Sequence, residues 1–382
     1  MTKPAPGALS IEEVQTRRQW RAFHTLPARL RRTDTAWVPP LGLHERQRWA
    51  PRHPVFTHLT ARAWIVLRDG EVVGRISAQD DRLQAEQGRP ELGHFGQIEA
   101  IDDRDVFRAL IDAASDWLIR RGKTVMQGPF DLTINQQCGL LVDGFDVMPA
   151  MMMNHHPLWY QGHLEAVGMV PVAELLAYRG AADFPLPRAA RRVLRGLQGR
   201  LSFRALTSAE LRRHAEVMRE LFNASWARNW GFIPFTAEEF RHLVHEMKPL
   251  LRPGYVQLAM LDSRPVGFMV ALPDLNLLIR DLDGRLWPTG WAKLLYRLMR
   301  GRFEQVRIPL LGVHPDYHRT PEGAAIAYGL IHAIQSAVLR DGVSFGEQSW
   351  ILEQNRGIRS IIESLGMQVV QRFRIYQLEL QR

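Results

Sequence analysis

The run Val313-His314-Pro315 reads as the end of a strand, and it passes through Asp316-Tyr317-His318-Arg319 to Gly323-Ala324-Ala325 at the head of an apolar-periodic stretch. Proline stops the ladder, and small residues where a helix opens point backbone N–H groups and the positive helix end outward. That is a seat for an anion such as a diphosphate, to which Arg319 adds a fixed positive charge. A second polar group, Asn154-His155-His156 with Tyr160, follows the apolar run Met148–Met153. Polar groups in such company need partners, so they either serve a bound molecule or are used internally, with Asn154 capping a helix and one histidine bonded in the interior. Neighbouring histidines lack the i, i+4 facing of a helical zinc pair, so no metal is expected. Cys138, beside Leu140, Leu141 and Val142, reads as a small buried residue rather than an acyl-carrying nucleophile. Met148, Met151, Met152 and Met153 suit either a tunnel for a long chain or ordinary core.

Gly290 to Phe303 reads as a helix with Trp291, Leu294, Leu295, Leu298 and Met299 on one face and Lys293, Arg297 and Arg300 on another; Arg188 to Gln198 has a similar make-up. Such helices lie on an anionic membrane or pack on their own domain, and the pattern leaves both open. The net charge of +9, from 49 basic and 40 acidic residues, favours an anionic partner. Phosphate-bearing cofactors and anionic headgroups fit that charge; nucleic acid is not the expected partner. Only four basic residues are lysine, a skew that also follows from a GC-rich genome. One cysteine cannot form an internal disulfide, and no leader pattern opens the chain, so a cytoplasmic protein is expected, with peripheral contact to the inner membrane as an alternative. Charged residues interrupt every apolar run before the ~20 residues a membrane span needs.

These groups must be held by folded elements. The 382 residues, 46% hydrophobic and 23% charged, suit two domains of ordinary size. The expected division is a flexible tail over 1–10, a domain over 11–180, a basic linker over 181–199 around Phe184-Pro185-Leu186-Pro187, and a domain over 200–382. In the second half, strands are predicted over Leu201–Ala205, Tyr255–Leu261, Val266–Leu272, Arg307–Val313, Val343–Glu347 and Gln368–Leu380. Helices are predicted over Ser208–Ala224, from Thr236, over Ala324–Arg340 and over Arg356–Ser364. The first half repeats the order: a hairpin, Ala63–Leu67 and Val72–Ala78, about Asp69-Gly70; a strand His94–Ile101; a helix Asp105–Arg121; a strand Thr124–Gly128; then helices Asn135–Val142 and Pro157–Val167. Two halves with one element order suggest a duplicated α/β (α+β) fold.

On the residues Val313 to Arg319, Gly323-Ala324-Ala325, Asn355-Arg356-Gly357-Ile358 and Leu365-Gly366-Met367, the second half resembles the GNAT superfamily of N-acetyltransferases. The likeness implies two GNAT-like domains in tandem, each a mixed, mostly antiparallel sheet flanked by helices. Two departures stand out. The usual Arg-x-x-Gly-x-Gly/Ala spacing is one residue longer and includes Glu322, and the tyrosine that protonates the leaving thiolate in many relatives is replaced by Ile362. The first half has Ile101-Asp102-Asp103-Arg104-Asp105 where the phosphate loop should be, and carboxylates at a helix start satisfy the helix and repel a diphosphate. Across most of the chain, Gly128-Pro129-Phe130-Asp131, Asn135, Gly139 to Phe145 and Asn154 to Tyr160 make it similar to a narrower group of bacterial tandem-GNAT N-acyltransferases, above all the acyl-CoA-dependent ceramide synthase family.

The resemblance implies transfer of a long acyl chain from acyl-CoA, as donor substrate, to a lipid-like amine. Leu311, Val313, His318, Arg319, Gly323, Ala324, Ala325 and Asn355 are then expected to bind the CoA moiety, with an N–H near Leu311 to Val313 polarising the thioester carbonyl. Glu99, His314 and Asp316 are candidates to deprotonate the amine. Tyr317, Tyr328 or a group from the other domain protonates the thiolate, unless it leaves unaided. Asp131, Asn135, Asn154, His155 and Tyr160 are expected on the acceptor side, where the first domain supplies the pocket. Two alternatives remain at this level: transfer to an amino acid or peptide amine, and a non-catalytic acyl-CoA-binding or regulatory module.

Overall fold

The computed structural model describes residues 7–381. The chain divides into two compact units. The first holds the described residues up to Glu174, Ile279–Leu286 and the residues from Arg372 onward; the second holds Leu175–Leu278 and Trp287–Gln371.

The first unit is built on strands β1 (Leu9–Glu13), β2 (Leu59–Arg68), β3 (Glu71–Asp81), β4 (Leu92–Ala100), β5 (Val125–Gly128) and β6 (Leu140–Asp143). Strand β7 (Val170–Ala181) begins there and ends in the second unit, which contains β8 (Leu201–Ala205), β9 (Val256–Leu261), β10 (Arg264–Pro273), β11 (Gln305–Val313) and β12 (Phe345–Leu352). The last strand, β13 (Gln368–Glu379), begins in the second unit and ends in the first.

In the first unit β1 to β5 pair in sequence order, antiparallel except for the parallel pair β4 and β5. The second unit repeats this with β8 to β12, and its one parallel pair is β11 with β12. Beyond β5 the next strand is β13, through Tyr376 to Glu379; beyond β12 it is β7, through Leu175 to Ala181. Each sheet is therefore completed by a strand from the other half of the sequence.

The hairpins form where expected because their turns supply left-handed residues: Asp69 and Gly70 have φ of 51° and 82°, Asp262 and Ser263 φ of 48° and 64°. Each parallel pair needs a crossover, and in each a helix supplies it. Arg104–Arg120 starts on an Asp103 cap and buries Val106, Phe107, Leu110, Ile111, Ala114 and Leu118 against the first sheet. Pro321–Arg340 starts on a Thr320 cap and buries Ile326, Leu330, Ile331, Ile334 and Val338 in the second core. Burial of each large apolar side chain contributes about 1.5–3 kcal/mol, so these two faces anchor their units.

Several expectations change. Asn135–Val142 is not a helix: Leu140–Asp143 is a strand pairing with Arg372, Phe373 and Arg374, because Gly139 at φ 82° interrupts a right-handed helix and the apolar Leu140 and Leu141 after it are buried against the sheet. Ser208–Ala224 is two helices, Ser208–Arg213 and Ala215–Trp226, broken at His214. The stretch 181–199 contains the helix Arg188–Gly196 of the second unit, with Ala190 buried, and the change of unit comes earlier, between Glu174 and Leu175. Of the expected tail, Leu9 and Ser10 already belong to β1, and residues 1–6 lie outside the described residues.

Candidate active site

In the second unit β11 pairs with β12 only from Gln305 to Ile308, while its pairing with β10 continues to Val313. The far end of β11 thus has a backbone edge from which β12 has parted. The N–H of His314 donates to the carbonyl of Val266 on the β10 side at 2.8 Å. Since peptide groups alternate along a strand, the N–H groups of Leu311 and Val313 face the parted side. Pro309, Leu310 and Leu311 are only half-buried, in contrast to Val306 to Ile308. The Val313 carbonyl on that side accepts hydrogen bonds from Ser225 Oγ (2.9 Å) and His318 Nε2 (2.8 Å), so two side chains hold the strand end in place.

The loop beyond is tighter than the sequence suggested. Pro315–Tyr317 forms one 3-10 turn, Arg319 takes φ 62°, and Thr320 caps the helix with its Oγ1, 3.1 Å from the N–H of Gly323. The N–H of Ala324 donates to the Thr320 carbonyl, and Ala325 is buried inside the helix. The extra residue in the motif is thereby explained: it makes room for a Thr-Pro helix start. The amides of Gly323 and Ala324 are already used, so they do not present the row of unpaired N–H groups that was expected. A Cβ at position 323 would sit 2.0 Å from the Tyr317 carbonyl oxygen, so the glycine is needed for closing this loop.

The remaining candidates of this unit are dispersed around the loop. His314 is partly exposed and its Nδ1 faces Asp316, 3.4 Å from the N–H and 3.5 Å from Oδ2. The Asp316 side chain is largely exposed; Tyr317 packs at the margin of the core. Arg319 is exposed. Asn355 caps the helix Arg356–Ser364 by accepting from the Ile358 N–H, and Tyr328 Oη lies 2.8 Å from Ser364 Oγ at the end of that helix. Ile362 is fully buried against Leu176, Tyr178 and Met367, so the usual acid's position here is core. The hydroxyl of Tyr178 donates to Glu363 Oε1 (2.7 Å) and accepts from Arg359 Nε (2.9 Å).

The first unit has the same parting of strands, with β4 paired to β5 only from Leu92 to His94, but here every residue of β4 is buried. Its own chain fills the gap. The N–H of Phe130 donates to the Phe95 carbonyl (2.8 Å), and Gln97, at φ 46°, turns its N–H to Asp131 Oδ1 (3.3 Å). The N–H of Ala100, the counterpart of Val313 by register, donates to Tyr160 Oη (2.8 Å), whose hydroxyl donates to Glu99 Oε2 (3.0 Å).

Around this plug lies a buried charged network. Arg31 Nη2 is 2.6 Å from Glu99 Oε2 and its Nη1 donates to the His155 carbonyl; Arg48 Nη1 is 2.7 Å from Asp131 Oδ2; Arg75 donates to the Phe23 carbonyl and lies over the Phe23 ring. His155 Nε2 is 3.0 Å from Asp34 Oδ2, and His156 Nδ1 accepts from the Leu141 N–H. Burial, then the Glu99 carboxylate, push the Tyr160 phenol well above its ordinary range, and burial raises the Asp131 carboxyl. Asn154 does not cap a helix: its Nδ2 donates to the Gly139 carbonyl, and the helix Trp159–Ala166 starts later. Asn135 is half-buried in the turn after Thr133.

Glu99, Asp131, His155 and Tyr160 are thus brought together, as members of an internal network; His314, Asp316 and Tyr317 belong to the other unit. Arg31, Arg48 and Arg75 had not been singled out. Among the many arginines of this chain, sequence spacing does not mark the ones that face a buried carboxylate.

No family profile matches the chain. It is 37% identical over 373 residues to the bacterial ceramide synthase of Caulobacter vibrioides, covering 97% of both chains. It is 37% identical over 361 residues to protein YghO of Escherichia coli, covering 94% of this chain and 93% of that one. Among solved structures it is similar to a tandem GNAT protein from the clavulanic acid biosynthesis pathway (TM-score 0.57, 12% identity, 98% of this chain and 99% of the other). It also matches a GCN5-related N-acetyltransferase from Sphaerobacter thermophilus (TM-score 0.54, 13% identity, 98% and 96%). With two units of matching strand order and likeness along nearly its whole length, the chain has the tandem GNAT fold and belongs to the family of the bacterial ceramide synthase.

Proposed function

We propose that the protein is an acyl-CoA-dependent N-acyltransferase that joins a long-chain acyl group to the amine of a long-chain amino alcohol, forming a ceramide-type amide. The observation that carries this reading is the 37% identity across 97% of both chains to a protein named bacterial ceramide synthase. The contrast between the units supports the choice of donor site: the parted edge of β11 is half-open, while the corresponding edge of β4 is filled from within.

In this reading the pantetheine arm runs along the β11 edge, and the N–H of Leu311 or Val313 polarises the thioester carbonyl and stabilises the oxyanion as the amine adds. The C–N bond forms, the C–S bond breaks, the amine loses one proton and the thiolate gains one. His314 and Asp316, beside the strand end, are the proposed proton-handling pair. Arg319 and His318 lie on the loop expected to face the diphosphate, whose seating then uses the Arg319 charge and the loop's remaining amides, since Thr320 takes that of Gly323. The long-chain amine is assigned to the acceptor role, and the first unit, whose corresponding strand edge is filled from within, does not hold a second CoA.

The test is incubation of the purified chain with a long-chain acyl-CoA and sphinganine, following the amide by mass spectrometry and free CoA by thiol assay. Amide and CoA in equal amounts are expected. Amide formed only with amino acids or peptide amines would move the acceptor to that class; acyl-CoA binding without turnover would make the chain a binding module.

A further inference from the structure

Among the described residues, five of the twelve exposed large hydrophobic residues fall within thirteen residues of one segment: Trp287 (80% exposed), Trp291, Leu295, Tyr296 and Met299 (75%). Most of them lie on the helix Gly290–Arg300 of the second unit. The sequence suggested that Trp291, Leu294, Leu295, Leu298 and Met299 share one face. The structure splits that face. Gly290 is buried, and Leu294, Arg297 and Leu298 are half-buried, with Leu298 against the core and Arg297 Nη1 bonded to the Leu278 carbonyl. At 100° per residue, Trp291, Leu295, Met299, Ala292 and Tyr296 then form a continuous apolar stripe turned to solvent, with Arg300 and Lys293 along one margin. An ordinary surface helix has the opposite arrangement.

We propose that this face docks the protein on an anionic lipid bilayer. Between Trp287 and Phe303 there is no acidic residue, while Lys293, Arg297, Arg300 and Arg302 are basic. Charge therefore favours an anionic surface over a second copy of the same face, which would bring like charges together. The residue types fit a lipid boundary: tryptophan and tyrosine settle at the headgroup level, leucine and methionine reach the acyl region, and arginine and lysine meet phosphates. Among the described residues no helix is long and apolar enough to cross a membrane, so the attachment is to the surface. The inference stands on this surface and does not require the acceptor proposed above, although a bilayer-borne amine would be reached from it.

The experiment is flotation of the full chain with phosphatidylglycerol-containing vesicles and with pure phosphatidylcholine vesicles, at low and high salt. The wild type is expected to float with the anionic vesicles and to be released by salt. Replacing Arg300 with glutamine weakens partitioning about fivefold, as expected for one cation near a charged surface. The triple variant Trp291→Ser, Leu295→Ser, Met299→Ser abolishes it, with an unchanged circular dichroism melt. Acylation of a short-chain, water-soluble amino alcohol, where the chain catalyses it, is expected to persist in this variant. Absence of flotation, flotation independent of these residues, or a dimer by light scattering that the triple variant dissociates would each overturn the proposal.

Discussion

At the scale of single residues, the polar groups that the sequence offers as candidates have two quite different uses in this protein. Glu99 is buried, ion-paired with Arg31 and bonded to Tyr160; removing one partner of such a pair leaves the other charged and unsolvated. Arg31→Met is therefore expected to destabilise the fold by about 3–5 kcal/mol, read as a shift in the urea midpoint. Tyr160→Phe leaves the Ala100 N–H without its acceptor and is expected to cost about 1–3 kcal/mol. Both act on stability, and protein that remains folded should keep its turnover. His314→Ala is expected to do the reverse: the ring is partly exposed and the Asp316 side chain it faces is largely exposed, so the melt stays unchanged while kcat falls about 100-fold or more. An unchanged kcat in folded His314→Ala would remove that residue from the proton transfers.

At the scale of elements, the parted strands are the device that both units share and only one leaves open. In the first unit Gly96 lets the segment after β5 cross β4: a Cβ there would lie 1.7 Å from the Phe130 carbonyl oxygen, a backbone atom that cannot swing away. Gly96→Ala is expected to cost about 3 kcal/mol or more and to lower the melting temperature of the whole chain. Strand order within each half was readable in advance, because apolar alternation, Gly-containing turns and capped helices are local signals; His94–Ile101 and Arg307–Val313 were both placed close to β4 and β11. What fills the gap beside them was not readable. Pro129 to Leu132 and Tyr160 are distant in sequence from β4, and periodicity says nothing about distant partners. The same limit explains β13: its alternation marks a strand, while its pairing with β5 is set by tertiary packing. The Thr320 cap is hidden for a different reason, since the glycine and alanines of a phosphate-loop pattern overlap the Thr-Pro start of the same helix.

At the scale of the whole molecule, the two units keep one strand order but differ in what they bury, and this makes them respond differently to acid. Burial pushes the imidazoles of His24 and His94 down to about 4, and also lowers those of His155 and His156. All four belong to the first unit. A histidine held neutral in the fold but free to protonate at its ordinary value of about 6.5 when unfolded makes the unfolded state bind more protons between those two values, so stability falls as pH drops through that window. Fully buried His94 alone accounts for about 3 kcal/mol on going from pH 6.5 to about 4. Asp131, raised by burial, has the opposite sign and recovers a part. The expected outcome is acid unfolding that starts in the first unit. Hydrogen exchange at about pH 5, corrected for intrinsic rates and compared with about pH 7.5, should show protection lost from β2 to β5 while β9 to β11 stay protected. His94→Gln should reduce the pH dependence of the urea midpoint over this window, because glutamine stays neutral in both states; equal loss of protection in both units would instead assign acid sensitivity to carboxylates distributed over each of them.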